Sequence, residues 1–499
     1  MSAPSSPRQV RAAIERFLKG SRQPAAIEPG EEPIPLAEGN FSLEDRNARL
    51  VLHAWSDRTN LVRRLTGIRL EKAGRLELEV ERFGKRPGQI SLVDLGRPGQ
   101  ETSLRRGVRH VFREQFRRAL ARQFPDWKIA ELSAEPNLEY SLSPAYPRAL
   151  LRKSQSGLAA LACPRDVGCA NGALSFGLIW LDYLRRRERK LAVDGLVLFL
   201  PAGLERTTCL RLRHLNPQMA RWLVFACSAE GYEQPVDPND HGNLETRLEP
   251  CRTGAVSESR VEQWIERLCR AQHVERVEHG DGSISLRVRG LEFARAAGDR
   301  LLFGLDTLTE ASETNIAEIE RLAAEVARLR SPDAADRDNP LYRRNPECWM
   351  ESIVREQLTE LDASLAPAPV YGQVPAITGL ERGVLDLVAI ERAGRLAVIE
   401  LKASEDLHLP VQALDYWMRV AWHQQRGEFA SCGYFPGTVL SPEPPRLLLV
   451  APALQFHPTT ETILRYFSPR IPVERIGLAL EWRRRLKVVF RASGAERPV

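Results

Sequence analysis

The sequence is short of lysine and has no long apolar run. Eight lysines stand among the 71 basic residues of the 499-residue chain, so arginine supplies the other 63. The longest apolar stretches, residues 174–181 and 196–204, are far shorter than the roughly 20 residues that a bilayer span needs. No apolar run of signal-peptide type follows the N-terminus. These absences predict a cytoplasmic protein without a membrane span.

Two kinds of motif are also missing. The eight cysteines show neither the two-residue spacing nor the paired histidines of zinc sites, which predicts reduced thiols. The sequence has no phosphate-binding loop of the Gly-x-x-x-x-Gly-Lys-Ser/Thr type. An ATPase or helicase would therefore have to be a separate partner, and a homo-oligomer is left open.

The composition, with 43% hydrophobic and 27% charged residues, is that of a globular protein, and the length predicts several domains. Apolar periodicity and turn-rich stretches indicate a multidomain α/β fold. The expected order is a flexible N-terminal arm at 1–40, a small strand-rich module at 41–105, an α/β domain at 106–235, a linker at 236–255, a small α+β module at 256–310, a helix and linker at 311–346, and a last folded domain at 347–499.

The most informative pattern is a predicted β-hairpin in the last domain. Two apolar runs, residues 384–390 and 396–401, flank a polar turn that contains Gly394. If this five-residue turn closes Ile390 onto Leu396, the numbers of paired residues sum to 786. The sequence thus predicts both the hairpin and its register.

This register brings three charged residues together. Asp386 and Glu400 become cross-strand neighbours, with Cβ atoms about 4.5–5.5 Å apart, close enough for two carboxylates to share a divalent cation. Lys402 follows on the same face because strand side chains alternate. An alternative interpretation is a Glu–Lys salt bridge on a solvated edge, but the apolar flanks favour a buried site with a metal that balances the carboxylates.

Two predicted helices flank the hairpin. The downstream helix carries Gln412 and Tyr416 four residues apart, and therefore on one face. The upstream helix, residues 348–361, has Glu351 at the margin of its apolar side and Glu356 turned further away. Glu351 is therefore the better candidate to reach into a site.

These residues resemble the PD-(D/E)XK nuclease superfamily, whose core runs helix, hairpin bearing Asp and then Glu-x-Lys, helix. The Gln412-x-x-x-Tyr416 spacing is similar to that of the RecB-like branch, and the hairpin is similar to NucS-type nuclease domains. The resemblance covers residues 347–455. It departs from the family pattern in lacking the Pro-Asp dipeptide, since Leu385 precedes Asp386.

The resemblance implies a restriction-endonuclease-like αβββαβ core, a mixed central sheet flanked by helices. It also implies Mg²⁺- or Mn²⁺-dependent hydrolysis of nucleic-acid phosphodiesters, in repair, restriction or defence; DNA is favoured as the substrate and RNA is left open. The implied catalytic residues are Asp386, Glu400, Lys402 and Glu351, the implied metal ligands are Asp386, Glu400, the Leu401 carbonyl and Glu351, and the implied substrate-positioning residues are Gln412 and Tyr416.

Comparison of the chain with itself suggests a second copy of this domain. Segments of the last domain align in order with earlier ones: 396–404 with 158–166, 414–417 with 181–184, and 448–452 with 197–201. In this alignment Asp386, Glu400 and Lys402 fall on Arg148, Ala162 and Pro164. We therefore hypothesise a degenerate nuclease-like domain at 106–235; the alternative is that generic α/β patterning mimics a repeat.

The charge distribution leaves the function open between classes. Residues 101–235 carry a net charge of +8 and residues 341–499 a net charge of +1. The basic cluster 185–190 could contact phosphates, or could simply interact with the C-terminal end of its own helix. The alternatives to a nuclease are a catalytically silent nucleic-acid-binding or scaffold protein, and an α/β protein in which the charged trio is structural.

Overall fold

The computed structural model describes most of the chain. The described residues are 6–28, 33–37, 40–46, 49–55, 60–82, 86–96, 100–251, 259–271, 273–279, 282–378 and 381–496, without the side chains of 46, 49, 60, 82, 86, 100–108, 373, 375–378 and 381–386. This part of the chain is a mixed α/β protein with four β-sheets.

The N-terminal module is an antiparallel sheet covered by a helix. Its elements are α1 (Pro7–Lys19), β1 (Pro24–Ile27), β2 (Ile34–Pro35), β3 (Phe41–Arg46), β4 (Arg49–Trp55), β5 (Asn60–Lys72), β6 (Arg75–Arg82) and β7 (Arg86–Asp94). The strand order is β2-β1-β7-β6-β5-β4-β3. Val10, Ala13 and Ile14 of α1 are buried against this sheet, at the spacing of one helical face.

This arrangement differs from the expected arm at 1–40. From Pro7 onward the described residues include a capped amphipathic helix and an inner strand, β1, that pairs with β7. The Pro, Ser and Glu content of this segment suggested a loose chain. Three apolar residues at helical spacing are enough to bury α1 on a neighbouring sheet, which a compositional reading does not show.

The second unit is a mixed sheet between helices. Its elements are α2 (Gln100–Gln123), β8 (Lys128–Ser133), β9 (Arg148–Lys153), β10 (Ser156–Ala162), α3 (Val167–Arg187), β11 (Ala192–Pro201), α4 (Arg206–Leu212), β12 (Arg221–Cys227) and β13 (Glu233–Val236). The strand order is β13-β12-β11-β10-β9-β8. The pairs β10/β11 and β11/β12 are parallel and the other pairs are antiparallel.

Helix α3 is the one helix of the described residues that is long and apolar enough to cross a membrane by length and composition. Most of its apolar window is buried inside the protein, as in the core helix of a soluble protein. Leu174, Leu178 and Leu181 have no exposed surface. The apolar composition of α3 therefore fits a helix that is buried within the protein.

A short strand and a small module follow. They comprise β14 (Arg247–Leu248), α5 (Arg260–Cys269), β15 (Val274–Glu278), β16 (Ile284–Val288), β17 (Leu291–Ala297), β18 (Arg300–Phe303), β19 (Thr309–Glu310), α6 (Ile316–Leu329) and α7 (Pro340–Arg343). Strands β15 to β19 form an antiparallel sheet in sequence order, and α5 and α6 share its apolar core.

The C-terminal unit contains the predicted hairpin. Its elements are α8 (Pro346–Glu356), α9 (Leu358–Leu361), β20 (Tyr371–Thr378), β21 (Glu381–Ile390), β22 (Leu396–Leu401), α10 (Leu409–Gln425), α11 (Glu428–Ser431), β23 (Arg446–Pro452), α12 (Thr460–Leu464), β24 (Val473–Leu478) and β25 (Val488–Ser493). The strand order is β14-β20-β21-β22-β23-β24-β25.

The segment expected to be a linker at 236–255 is partly built into this sheet. Strand β14 pairs with β20, where Arg247 lies opposite Ile377. The Cys251 N–H donates to the Cys432 carbonyl over 2.7 Å. A two-residue edge strand inside a Gly-, Pro- and Asn-rich stretch has too little sequence pattern to be predicted. It is a strand because it pairs with β20.

The second and C-terminal units have the same topology. In both, the first three strands pair antiparallel, the next two pairs are parallel, and the last pair is antiparallel. In both, a long helix follows the third strand (α3 and α10) and a short helix follows the fourth (α4 and α12). The shared order and directions support the hypothesis that 106–235 and 347–499 are repeats.

The strand pairings also correct the alignment of the two repeats by one residue. When Pro201 of β11 is aligned with Pro452 of β23, Phe199 aligns with Val450. Phe199 pairs with Ala162 and Val450 pairs with Leu401, so Ala162 and Leu401 are counterparts. The counterparts of Glu400 and Lys402 are therefore Leu161 and Cys163, and not the expected Ala162 and Pro164. The pairing of Leu161 with Arg148 keeps Arg148 as the counterpart of position 386. A gapless sequence match could not place residues of an all-apolar strand to one position.

Arg330 connects the small module to the C-terminal unit. Its side chain is fully buried and donates to the carbonyls of Leu341, Arg344 and Arg289 over 2.7, 2.5 and 3.0 Å. The guanidinium also lies 4.7 Å from the ring centroid of Trp349 in α8. A planar donor group is needed to satisfy carbonyls in several directions.

We expect Arg330→Lys to destabilise the protein by about 2–4 kcal/mol, because lysine cannot reproduce the fork of charged hydrogen bonds. The measurement is urea unfolding at pH 7. The matched control is Arg328→Lys in the last turn of α6, just before Arg330; the exposed pair of Arg328 with Glu325 should be worth about 0–1 kcal/mol. Equal losses in the two variants would contradict this role for Arg330.

A second prediction concerns His214, next to α4. Burial, together with the Arg213 charge, lowers the pKa of His214 to about 4. The folded state thus favours the neutral ring, so stability is complete above the unfolded pKa of about 6.5 and falls as the pH drops toward 4. We expect His214→Gln to remove up to about 3 kcal/mol of this acid sensitivity. Unfolding free energies measured from pH 7 to pH 4 should show a flatter profile for the variant; parallel profiles would contradict it.

Candidate functional site

The predicted hairpin and its register are confirmed. Strand β21 pairs antiparallel with β22, and the pairs include Ile390 with Leu396 and Leu387 with Ile399. All four described pairs have residue numbers that sum to 786. The other edge of β22 pairs parallel with β23, so β22 lies inside the sheet.

Glu400 is a buried carboxylate on this inner strand, with 2% of its surface exposed. It pairs with Leu449 of β23, and strand alternation puts it on the same face as Val398, toward α10. The ion pair of the alternative interpretation exists, since the Nζ atom of Lys402 lies 3.7 Å from the Oε1 atom of Glu400. It lies in the interior of the sheet, however, and not on a solvated edge.

Lys402 links the end of β22 to the start of α10. Its backbone N–H donates to the Val450 carbonyl over 3.0 Å, which continues the parallel pairing past Leu401. Its Nζ atom lies 3.6 Å from the Oδ2 atom of Asp406, and the side chain is 22% exposed. The ammonium is therefore held between two carboxylates with one side open to solvent.

Asp406 is a site residue that sequence reasoning missed. Its Oδ1 atom accepts a hydrogen bond of 2.7 Å from the N–H of His408, directly before α10. The available signal was an acidic residue four positions after Lys402 and just ahead of a predicted helix, a position where carboxylates commonly satisfy free N–H groups.

Asp386 lies within β21, but its side chain falls outside the described residues. The register of β21 and β22, extended by one pair, would set position 386 opposite Glu400. The closeness of these two carboxylates therefore stays a prediction. It follows from the confirmed register and not from a measured distance.

Glu351 is buried, with 5% of its surface exposed, whereas Glu356 is exposed, as their helical positions predicted. The described contacts of Glu351 are with Arg355, which donates to its Oε1 atom, and with β20 at Gly372. A Cβ atom on Gly372 would lie 2.6 Å from that oxygen, so a larger residue there would displace the side chains of Glu351 and Arg355. This contact is on the α8 face of the sheet, opposite the face that Glu400 occupies by alternation.

Gln412 and Tyr416 lie one turn apart on α10, and both are half-buried. The Arg419 guanidinium lies 5.9 Å from the ring centroid of Tyr416. Leu401, whose carbonyl the resemblance implies as a metal ligand, is buried at the end of β22. Helix α10 packs along β22 and β23, so Gln412 and Tyr416 lie on the face of the sheet that carries Glu400.

The side chain of Asp386 is not among the possible metal ligands that the structure describes. Among the residues whose side chains the structure describes, no group of three or more His, Cys, Asp or Glu residues is placed to hold a metal ion. His408, His423 and His457 contact Ser175, Glu428 and Thr459 respectively. All eight cysteines are free thiols.

Three arginines of the basic cluster 185–190 contact other parts of the protein, whereas Arg189 and Lys190 are exposed. Arg185 donates to the carbonyls of Val193 and Met219 over 2.9 and 2.6 Å. Arg186 bonds Thr462 over 3.2 Å, and Arg187 pairs with Glu131. These contacts favour a structural role for Arg185, Arg186 and Arg187, and leave the exposed Arg189 and Lys190 open to either interpretation.

Neither a scan of protein-family models nor a search of curated proteins finds a match for this chain. The function must therefore be argued from the geometry of the site.

The geometry makes a prediction about stability that does not depend on function. Lys402→Met leaves the buried Glu400 with one cation fewer, and we expect a loss of about 2 kcal/mol at pH 7, below the usual value for a fully buried pair because Lys402 is partly exposed. The double variant Lys402→Met/Glu400→Gln should recover most of it. Urea unfolding measures both, and Lys487→Met, at an exposed lysine, serves as control. Equal stabilities of Lys402→Met and Lys487→Met would contradict the pairing of Lys402 with Glu400.

Proposed function

We propose that this protein is a metal-dependent nuclease of the PD-(D/E)XK type, with DNA as the favoured substrate. The observation that supports this most is Glu400, buried on an inner strand beside the partly exposed Lys402. A hairpin register that would set Asp386 opposite Glu400 adds to it. The helix, three-strand, helix, strand order from α8 to β23 is the order that the αβββαβ core requires.

The residues present fit a divalent cation in their chemistry. Carboxylate and carbonyl oxygens are the ligands that Mg²⁺ and Mn²⁺ prefer, and Mg²⁺ commonly uses one or two carboxylates and completes its shell with water and phosphate. Asp386, Glu400 and the Leu401 carbonyl would hold it. Bound there, the ion would polarise the phosphodiester and lower the pKa of a bound water.

The other side chains would act on the substrate. Lys402 offers a compact cation that could stabilise negative charge developing on a phosphoryl oxygen. Asp406 and Glu400 hold its ammonium in place from two sides. Gln412 and Tyr416 would orient the phosphate or the lysine. Glu351 has the least support, because its described contacts are on the opposite face of the sheet.

A catalytically silent nucleic-acid-binding or scaffold protein is the second candidate. The observation that favours it is the second unit, in which the same strand topology carries Arg148, Leu161 and Cys163 at the corresponding positions. That unit indicates that the architecture can persist without acidic residues. Retention of all three charged residues in the C-terminal unit favours the nuclease.

The test is a cleavage assay with labelled single- and double-stranded DNA and RNA in Mg²⁺, Mn²⁺ or EDTA. We expect cleavage that requires the metal and that falls about 100-fold or more in Asp386→Ala and in Lys402→Ala. Lys487→Ala should keep the wild-type rate. Cleavage that survives either site substitution would defeat the assignment, and binding without cleavage would favour the scaffold.

Two controls separate the roles within the site. Mg²⁺ should raise the unfolding temperature of the wild type and not that of Glu400→Gln, because only a ligand that binds the folded state stabilises it. Glu351→Gln is compared with Glu356→Gln, an exposed glutamate of the same helix. A rate loss confined to Glu351→Gln would restore Glu351 to the site.

A further inference from the structure

The second and C-terminal units meet through main-chain contacts that are reciprocal. The Asn216 N–H donates to the Tyr466 carbonyl over 2.8 Å, and the Ser468 N–H donates to the His214 carbonyl over 2.9 Å. Asn216 and Ser468 are equivalent in the two repeats, each standing before a proline, and His214 and Tyr466 precede them by the same two residues. Each unit therefore gives the other the same bond that it receives.

A β-bridge between these two hydrogen bonds marks a local two-fold axis. Leu215 forms an antiparallel β-bridge with Phe467, its own counterpart in the other repeat. In a two-fold arrangement, a residue that contacts its own counterpart lies at the axis. A local two-fold axis thus passes between Leu215 and Phe467.

Ion pairs across the contact follow the same pattern. Arg211 of α4 binds Asp415 of α10 with two hydrogen bonds of 2.8 and 2.6 Å. Arg465, directly after α12, binds Asp182 of α3 over 2.8 Å. The two aspartates are equivalent positions of the long helices. The arginines come from the same region of each unit but are not equivalent, since Arg211 corresponds to Ile463 and Arg465 to Arg213.

The apolar core continues across this contact. One cluster of buried side chains includes Leu174, Leu178 and Leu181 of α3 together with Val411 and Leu414 of α10. A continuous core is typical of obligate dimers, whose interface resembles a domain interior. The two units therefore behave as one body with isologous contacts, as the subunits of a two-fold homodimer do.

The two halves of this pair are not chemically equal. At the position of Asp386 the second unit has Arg148, which is 5% exposed and donates to the Glu135 carbonyl over 2.6 Å. Its guanidinium lies 5.5 Å from the ring centroid of Trp180. Leu161 and Cys163 replace the other two charged residues. A fixed cation, an apolar side chain and a thiol do not supply the oxygen ligands that Mg²⁺ and Mn²⁺ prefer.

We propose that the chain is a two-fold pseudo-dimer folded from one polypeptide, with one competent site, and that it acts as a monomer that cuts one strand per encounter. This rests on the proposed nuclease function. In each event one water adds across one P–O bond: its oxygen stays on phosphorus, and the departing sugar oxygen takes up a proton. A homodimer with two competent sites could break both strands in one encounter, whereas this pair has one site and its two-fold partner surface is already filled.

The experiment follows cutting of supercoiled plasmid with Mg²⁺ while the concentration of the full-length protein is varied, beside sedimentation equilibrium. We expect a mass near 56.2 kDa, nicked circles that accumulate before linear DNA, and an initial rate proportional to enzyme concentration. If plasmid resists and another nucleic acid from the cleavage assay is cut, the same proportionality is tested on that substrate. Linear DNA formed without a nicked intermediate, or a rate that rises with the square of enzyme concentration, would overturn the proposal.

Failure of this inference is distinguishable from failure of the proposed function. If Asp386→Ala cuts as fast as the wild type, or nothing is cut, the nuclease assignment fails and with it the single cut. The mass then decides the remaining structural part: a monomer supports a filled two-fold surface, and a stable dimer overturns it.

Discussion

The fold of the two larger units depends on one constraint, that parallel strands in a mixed sheet must be covered on both faces. Strands β11 and β23 are apolar on both sides, and each needs a helix layer above and below. Helices α3 and α10 cover one face of each sheet. Both helices also carry buried apolar residues beyond those that face their own sheet, and elements of the other unit cover these residues. The packing of these two helices thus joins two sheets into one core.

Arginine and lysine make different kinds of contact in this protein. Arginines make several hydrogen bonds at once: Arg330 to three carbonyls, Arg211 to a carboxylate and the Asn171 carbonyl. These are sites where a planar fork fits. Lys402 does something different, since its single ammonium lies between two carboxylates. In a chain with so few lysines, this difference supports a site where a compact cation is required.

The sequence predicted those parts of the fold that carry their own periodicity. The hairpin register followed from two apolar runs and a turn length, and the buried Glu351 and exposed Glu356 followed from helical angles. What escaped prediction depends on distant partners. Helix α1 packs on a sheet whose strands come later in the chain, β14 takes its order from β20, and Asp406 becomes part of the site only because α10 starts beside Lys402. The repeat was visible in sequence, but its register was not, because a strand of alanine and leucine aligns equally well one residue along.

The shared core also has a consequence during synthesis. About 240 residues separate the end of α3 from the end of α10. At the usual rate of elongation, the ribosome needs on the order of 10–50 s to make them. For that time the apolar flank of α3 lacks the α10 side chains that finally cover it. This remains so after β13 has been made and all strands of the second unit are present. The order of the repeats therefore leaves the core of the second unit incomplete until α10 of the C-terminal unit has been made.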